Sequence, residues 1–144
     1  MNKRKDLGQH FLKSKTIARS IADSAKITRN DIVLEIGTGH GILIPYVCKN
    51  AKQVFSIEND HNLYLSAKSN FHDYSNLVLE YGDGFKSVHS FSIFVSNLPY
   101  SKSRFATEWL LQKKVSRAVI MVQKEFAEKL VSNEEHKAIS VLAN

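Results

Sequence analysis

Asn97-Leu98-Pro99-Tyr100 carries the densest chemistry in this 144-residue chain. The Asn97 side-chain oxygen and the Leu98 backbone carbonyl can both accept hydrogen bonds from an exocyclic amine. Pro99 stiffens the loop, and the Tyr100 ring can stack on a flipped-out base, a contact worth ~1–3 kcal/mol. The amine of a nucleobase is a poor nucleophile because its lone pair is delocalised into the ring. Such a loop helps by accepting its N–H bonds and holding it in line with an electrophile, with no covalent intermediate. Taken alone, an N-x-P-Y tetrapeptide is no more than a turn.

A second group lies upstream. Glu35-Ile36-Gly37-Thr38-Gly39-His40-Gly41 sets an acid before three glycines that let backbone approach a ligand closely. A dinucleotide fingerprint reads G-x-G-x-x-G; this turn reads G-x-G-x-G. An acid in the turn disfavours a pyrophosphate and suits a cation. S-adenosylmethionine, with a sulfonium and an ammonium, fits better than NAD. Glu58 follows about 20 residues later, where a carboxylate can accept hydrogen bonds from both ribose hydroxyls. Asp83, in Gly82-Asp83-Gly84, can accept from an adenine amino group. The blander alternatives are that Glu35 accepts backbone N–H groups of the glycine turn, and that Glu58 is a solvated acid ending a strand.

These residues need a scaffold that gathers them, and the apolar pattern supplies one. Strands are expected at 31–36, 53–57, 76–81, 91–96 and 117–122, with helices at 42–49, 61–71, 101–113 and 124–131 between and after them. Asp60 is placed to cap the second of those helices. The strands are apolar on both faces, as in Val119-Ile120-Met121, which indicates parallel strands buried between helix layers. The fold class is therefore α/β, a doubly wound sheet with ligands at the carboxyl ends of its strands. Ahead of it, 14–26 reads as an amphipathic helix with Ile17, Ile21 and Ala25 on its stripe. In the usual strand order the fifth strand is an edge, yet Ala118–Val122 has neither charge nor proline to protect it. Something is expected to cover it: further chain, a partner, or the stretch 138–143 folding back.

Composition sets limits. The 43% hydrophobic and 24% charged content belongs to a globular chain. One cysteine, Cys48, excludes an internal disulfide and a cysteine-based zinc site, and no metal is expected. No apolar run approaches the ~20 residues that span a bilayer, and no secretory pattern is legible at the start of the sequence, so a cytoplasmic location is expected. The net charge is +6, and residues 1–30 hold eight Lys/Arg against two acids while the rest balances. Such a block suits a polyanion such as nucleic acid, or is simply a solvated tail.

As a set, the motifs resemble the ribosomal-RNA adenine dimethyltransferases, which include small-subunit dimethyladenosine transferases and the erythromycin-resistance methyltransferases. The resemblance runs from Leu7 to Asn144. It rests on Gly8-Gln9-His10-Phe11-Leu12, 34–41, 57–60, Gly82-Asp83, 97–100 and Met121-Val122-Gln123-Lys124-Glu125. It implies a Rossmann-like class I methyltransferase that uses S-adenosylmethionine to dimethylate adenine N6 of rRNA, with the immature small ribosomal subunit as partner. It implies that Gln9, His10 and Leu12 close over the cofactor, Gly37 and Gly39 lie against it, and Glu58, Asp83 and Asn97 contact it. His10 otherwise packs or caps a helix. RNA contacts are expected from Lys3, Arg4, Lys5, Lys13, Lys102 and Arg104. The organisation expected is a basic N-terminal segment, 1–30, that serves as lid and RNA contact, followed by a cofactor-binding catalytic domain, 31–144.

Three departures from the family stand out. Thr38 replaces its usual proline, and Ser101-Lys102-Ser103-Arg104 is more charged than its usual continuation. The family also continues into further strands, an aromatic-proline loop and a helical RNA-binding domain, and this sequence is expected to lack them. The competing expectations are a catalytically weak RNA-binding assembly module, and a methyltransferase acting on DNA adenine or protein glutamine. Leu98, where the latter enzymes carry a first proline, argues against them.

Overall fold

The computed structural model describes residues 11–132 and, as backbone, 139–143. Six strands form one parallel sheet in the order β3-β2-β1-β4-β5-β6. They are β1 (Ile32–Ile36), β2 (Gln53–Glu58), β3 (Leu77–Tyr81), β4 (Ile93–Ser96), β5 (Arg117–Val122) and β6 (Ile139–Ala143). The helices are α1 (Lys15–Ala25), α2 (Ile44–Cys48), α3 (His61–Asn70), α4 (Ser103–Leu111) and α5 (Lys124–Val131). The five expected strands are present. The strand expected to lack protection is flanked by β6, which pairs Ala118 with Ile139 and Val122 with Ala143. The 138–143 stretch, one of the covers expected, thus supplies the neighbour.

Two apolar layers sandwich the sheet. On one face Val33, Val54, Val95 and Val119 pack against α1 and α2. On the other Leu34, Phe94, Ile120 and Val122 pack against α4 and α5. Phe94 is fully buried, which stabilises the fold by ~2–3 kcal/mol relative to exposure. The alternation of facing residues along β1 explains why both Leu34 and Val33 are buried: parallel strands have no solvent face.

Helix positions differ from the sequence pattern in informative ways. The buried stripe of α1 is Ala18, Ile21, Ala22 and Ala25, while Ile17 lies at the rim. Alanines let the helix lie close to β4 and β5. The helix expected over 101–113 divides into a 3-10 turn, Tyr100–Lys102, and α4. Its inward residues are Ser103, Ala106, Thr107 and Leu110, so Phe105 is half exposed and Trp109 lies only partly inside. α3 starts where expected, with the Asp60 carboxylate accepting from Asn62 and Leu63 N–H. α2 has five residues and begins at Ile44, three beyond the glycine turn, rather than at Ile42. The donors near the turn are therefore its own N–H groups and not those of a helix end.

Candidate active site

The chain runs outward from β1 in both directions, to β2 and β3 on one side and to β4 and β5 on the other. A crevice opens at such a reversal, beyond the carboxyl ends of the strands. Here it is a cavity of about 510 Å³, within the range of small-ligand sites.

Three loops build it. The first follows β1. Gly37 and Gly41 have φ of 85° and 78°, in the left-handed region. A methyl group on Gly41 would lie 2.2 Å from the Phe71 ring, so only glycine fits. The turn closes through Gly41 N–H donating to the Thr38 carbonyl at 2.9 Å. Gly37 lies against the second loop, since a Cβ there would touch the Leu98 side chain at 3.5 Å. That loop, 97–100, is held to β1 by the Ser96 hydroxyl, which donates to the Ile36 carbonyl at 2.6 Å. The third loop follows β3, where Gly84 packs so closely on Ile36 that a Cβ would sit 2.7 Å from it.

The acids occupy different settings. Glu58 is buried and orders the first loop: Oε2 accepts from Gly39 N–H at 2.7 Å and Oε1 from Asp60 N–H at 2.9 Å. Binding the glycine turn, one alternative for Glu35, thus falls to Glu58. Each of its oxygens keeps acceptor capacity beyond that one bond, and Glu58 lines the cavity. Asp83 is exposed and its Oδ1 accepts from Phe85 N–H at 3.0 Å. Glu35 is 2% exposed and lines the cavity floor. Its Oε1 accepts from the Ser56 hydroxyl at 2.5 Å, and Thr38 lies 2.6 Å from Ser56. Oε2 has no partner among the described residues. Burial pushes the Glu35 carboxyl up to about 8; the Ser56 hydrogen bond opposes this, and the Glu58 carboxylate adds to it. The Thr38 departure from the family pattern therefore supplies a hydroxyl that proline lacks.

Of the residues singled out from sequence, Leu12, Glu35, Gly37, Gly39, Glu58, Asp83, Asn97, Leu98, Pro99 and Lys102 all line this cavity. Tyr100 does not line it; it begins the 3-10 turn beside it. Lys13 and Arg104 are exposed outside it, Arg104 paired with Glu108 at 3.0 Å. Lys3, Arg4, Lys5, Gln9 and His10 lie outside the described residues. Sequence reasoning missed the apolar walls. Phe11 covers Gly39, with a Cβ there 3.5 Å from its ring, and stacks at a tilt on His40. Phe85 and Phe105 meet edge to face with centroids 4.9 Å apart. Phe11 had a signal, lying between His10 and Leu12; Phe85 and Phe105 had none. Among the described residues no cluster of His, Cys, Asp and Glu is arranged to hold a metal.

The model of the ribosomal RNA adenine dimethylase family matches residues 1–144. The chain belongs to that family. Members similar to it include a probable ribosomal RNA small subunit methyltransferase A from Methanococcus maripaludis, 36% identical over 99% of this chain and 55% of the relative. The corresponding protein of Thermotoga maritima is 33% identical over 97% of this chain and 51% of its own length. Among solved structures, a dimethyladenosine transferase from Plasmodium falciparum superposes with a TM-score of 0.77 at 36% identity, covering 86% of this chain and 47% of that one. The 23S rRNA methyltransferase ErmE also gives 0.77, at 26% identity, over 87% and 52%. The dimethylase-family chain described here spans about half the length of the curated relatives it matches. Its fold is that of the Rossmann-like methyltransferases.

Proposed function

We infer that this cleft binds S-adenosylmethionine and that the chain contributes the catalytic part of an rRNA adenine N6-dimethyltransferase acting on the small ribosomal subunit in the cytoplasm. The observation that carries the reading is the meeting, at one strand crossover, of three acids with the Asn97-Leu98-Pro99 loop. The acids suit the ligand in order. Glu35 at the floor meets the ammonium of an amino-acid moiety, Glu58 the ribose hydroxyls, and Asp83 the adenine amino group. Phe85 and Phe105 give the adenine end an apolar wall. The unpartnered Glu35 Oε2 supports a fit to a cationic group. When bound, the cofactor supplies an electrophilic methyl on its sulfonium.

The rest falls to this chain's own residues. The Asn97 oxygen and Leu98 carbonyl accept from the target amine and fix its direction of attack. Tyr100, beside the cavity, stacks on the extruded base. Exposed Lys13, Lys102 and Arg104, together with Lys3, Arg4 and Lys5 upstream, contact RNA phosphates, and the 1–30 segment brings Gln9, His10 and Leu12 to the cofactor. No strong base is needed, because the amine loses its proton after transfer.

The test is transfer of a labelled methyl group to RNA of immature small subunits, followed by nucleoside analysis. Methylated adenosine is expected with the native sequence, and at least a 100-fold slower yield with Asn97→Ala. Cofactor binding and tight RNA binding without any product would instead favour a non-catalytic assembly module.

A further inference from the structure

The setting of Glu35 has a chemical consequence for how a ligand enters. Its side chain is enclosed by Ser56 and Glu58 of β2, by Thr38 of the glycine turn and by Cys48 of α2 on the same face of the sheet. Glu58 is the charged group in this set, and its sign is the wrong one. The Cys48 thiol is neutral, pushed up to about 12 by burial and then by Glu35. Among the described residues Glu35 forms no ion pair, and its Oε2 has no hydrogen-bond donor. An ionised carboxylate so placed is costly unless a cation joins it. The cavity wall beside it is where such a cation can enter.

We propose that Glu35 is a proton-exchanging counter-ion, neutral in the ligand-free cleft and ionised by loss of its proton when the ammonium of an aminoacyl-nucleoside ligand binds. This rests on the reading of the cleft as the S-adenosylmethionine site. The step breaks one O–H bond; the proton passes to solvent, and the ligand keeps its own charge. The Ser56 hydroxyl donates to Oε1, with Thr38 behind it, so the proton that neutral Glu35 gives up is the one on the unpartnered Oε2. An opposite charge at contact distance lowers a carboxyl by ~1–3 pH units, enough to carry Glu35 from about 8 to neutrality or below.

The experiment is calorimetric binding of S-adenosylhomocysteine to the full chain at pH 7 in two buffers of different ionisation enthalpy. Release of roughly four- to nine-tenths of a proton is expected, because a group near 8 is mostly protonated at that pH and one lowered by ~1–3 pH units is at least half ionised. Affinity should rise between pH 6 and 7.5, by up to tenfold per unit. That window keeps the ligand's own amine protonated. 5′-Methylthioadenosine, which lacks the amino acid, should bind without releasing the proton. Glu35→Gln, which mimics the neutral acid, should bind S-adenosylhomocysteine with no proton release and a flat pH profile. His40, the exposed cavity-lining histidine, remains in that variant and serves as its internal control. Binding of S-adenosylhomocysteine to the native protein without proton release would overturn the proposal while leaving the cofactor reading intact. A native pH slope in Glu35→Gln would do the same. Failure of both nucleosides to bind would remove the cofactor reading, and the proposal with it.

Discussion

Glu35 works against the fold that holds it. In the unfolded chain its carboxyl ionises near 4.5, whereas burial in the folded chain raises it to about 8. Across that window the folded state binds more protons than the unfolded one, so ligand-free stability falls as pH rises from about 4.5 to about 8. The loss reaches about 4 kcal/mol at pH 8. Denaturant midpoints of Glu35→Gln should therefore cross above the native protein within that window, and a native-like decline with pH in the variant would contradict the assignment. The acid was legible in sequence as a chemically odd neighbour of three glycines. Its hydroxyl partner was not, because Ser56 reaches it from the neighbouring strand, 21 residues away in sequence. Cys48 gives a simpler prediction. Buried and held at about 12, it should resist alkylation in the native protein and react once the chain is unfolded.

Loops and helix ends place these side chains, and each has a testable weak point. Gly41→Ala sets a methyl group 2.2 Å from the Phe71 ring on a left-handed residue, so unfolding measurements should show a loss of at least ~1–2 kcal/mol. Asp31 ties the start of β1 to its neighbours, accepting from Thr28 N–H at 2.8 Å and from the Ser92 hydroxyl at 2.8 Å. Burial alone would push its carboxyl up, but the Thr28 and Ser92 hydrogen bonds and the Arg117 charge together bring it below 3.8. Its stabilisation is thus complete above that value and is lost as pH falls through the lower folded value. Asp31→Asn should lower stability by ~1–2 kcal/mol at pH 7, with the difference narrowing only below about pH 4. The strands were readable because continuous apolar runs such as Ala118–Val122 mean burial on both faces. Helix faces were less so: α4 carries four large apolar residues, but tertiary packing selected Leu110 and turned Phe105 toward the cleft.

At the scale of the whole molecule, the parallel sheet and its crossover were legible from the order of strands and helices, and the crossover put the site where open α/β sheets hold ligands. The unprotected β5 led to the expectation of a neighbour, which β6 provides. Phe11 had a signal between His10 and Leu12, but the wall made by Phe85 and Phe105 was not legible, because those two converge only after the sheet has formed. The positive charge of the first 30 residues bears on the RNA reading: affinity should fall with log salt at a slope of about 0.7 per phosphate neutralised on single strands. A flat salt response would remove the basic segment from that reading. The central claim is that the crossover cleft is where the methyl donor binds. Calorimetric titration of S-adenosylmethionine into the native protein and into Glu58→Ala tests it most directly. The account predicts saturable one-to-one binding to the native chain and at least a tenfold weaker affinity in the variant, which loses the ribose acceptors and the bond to Gly39; equal affinity in both would contradict it.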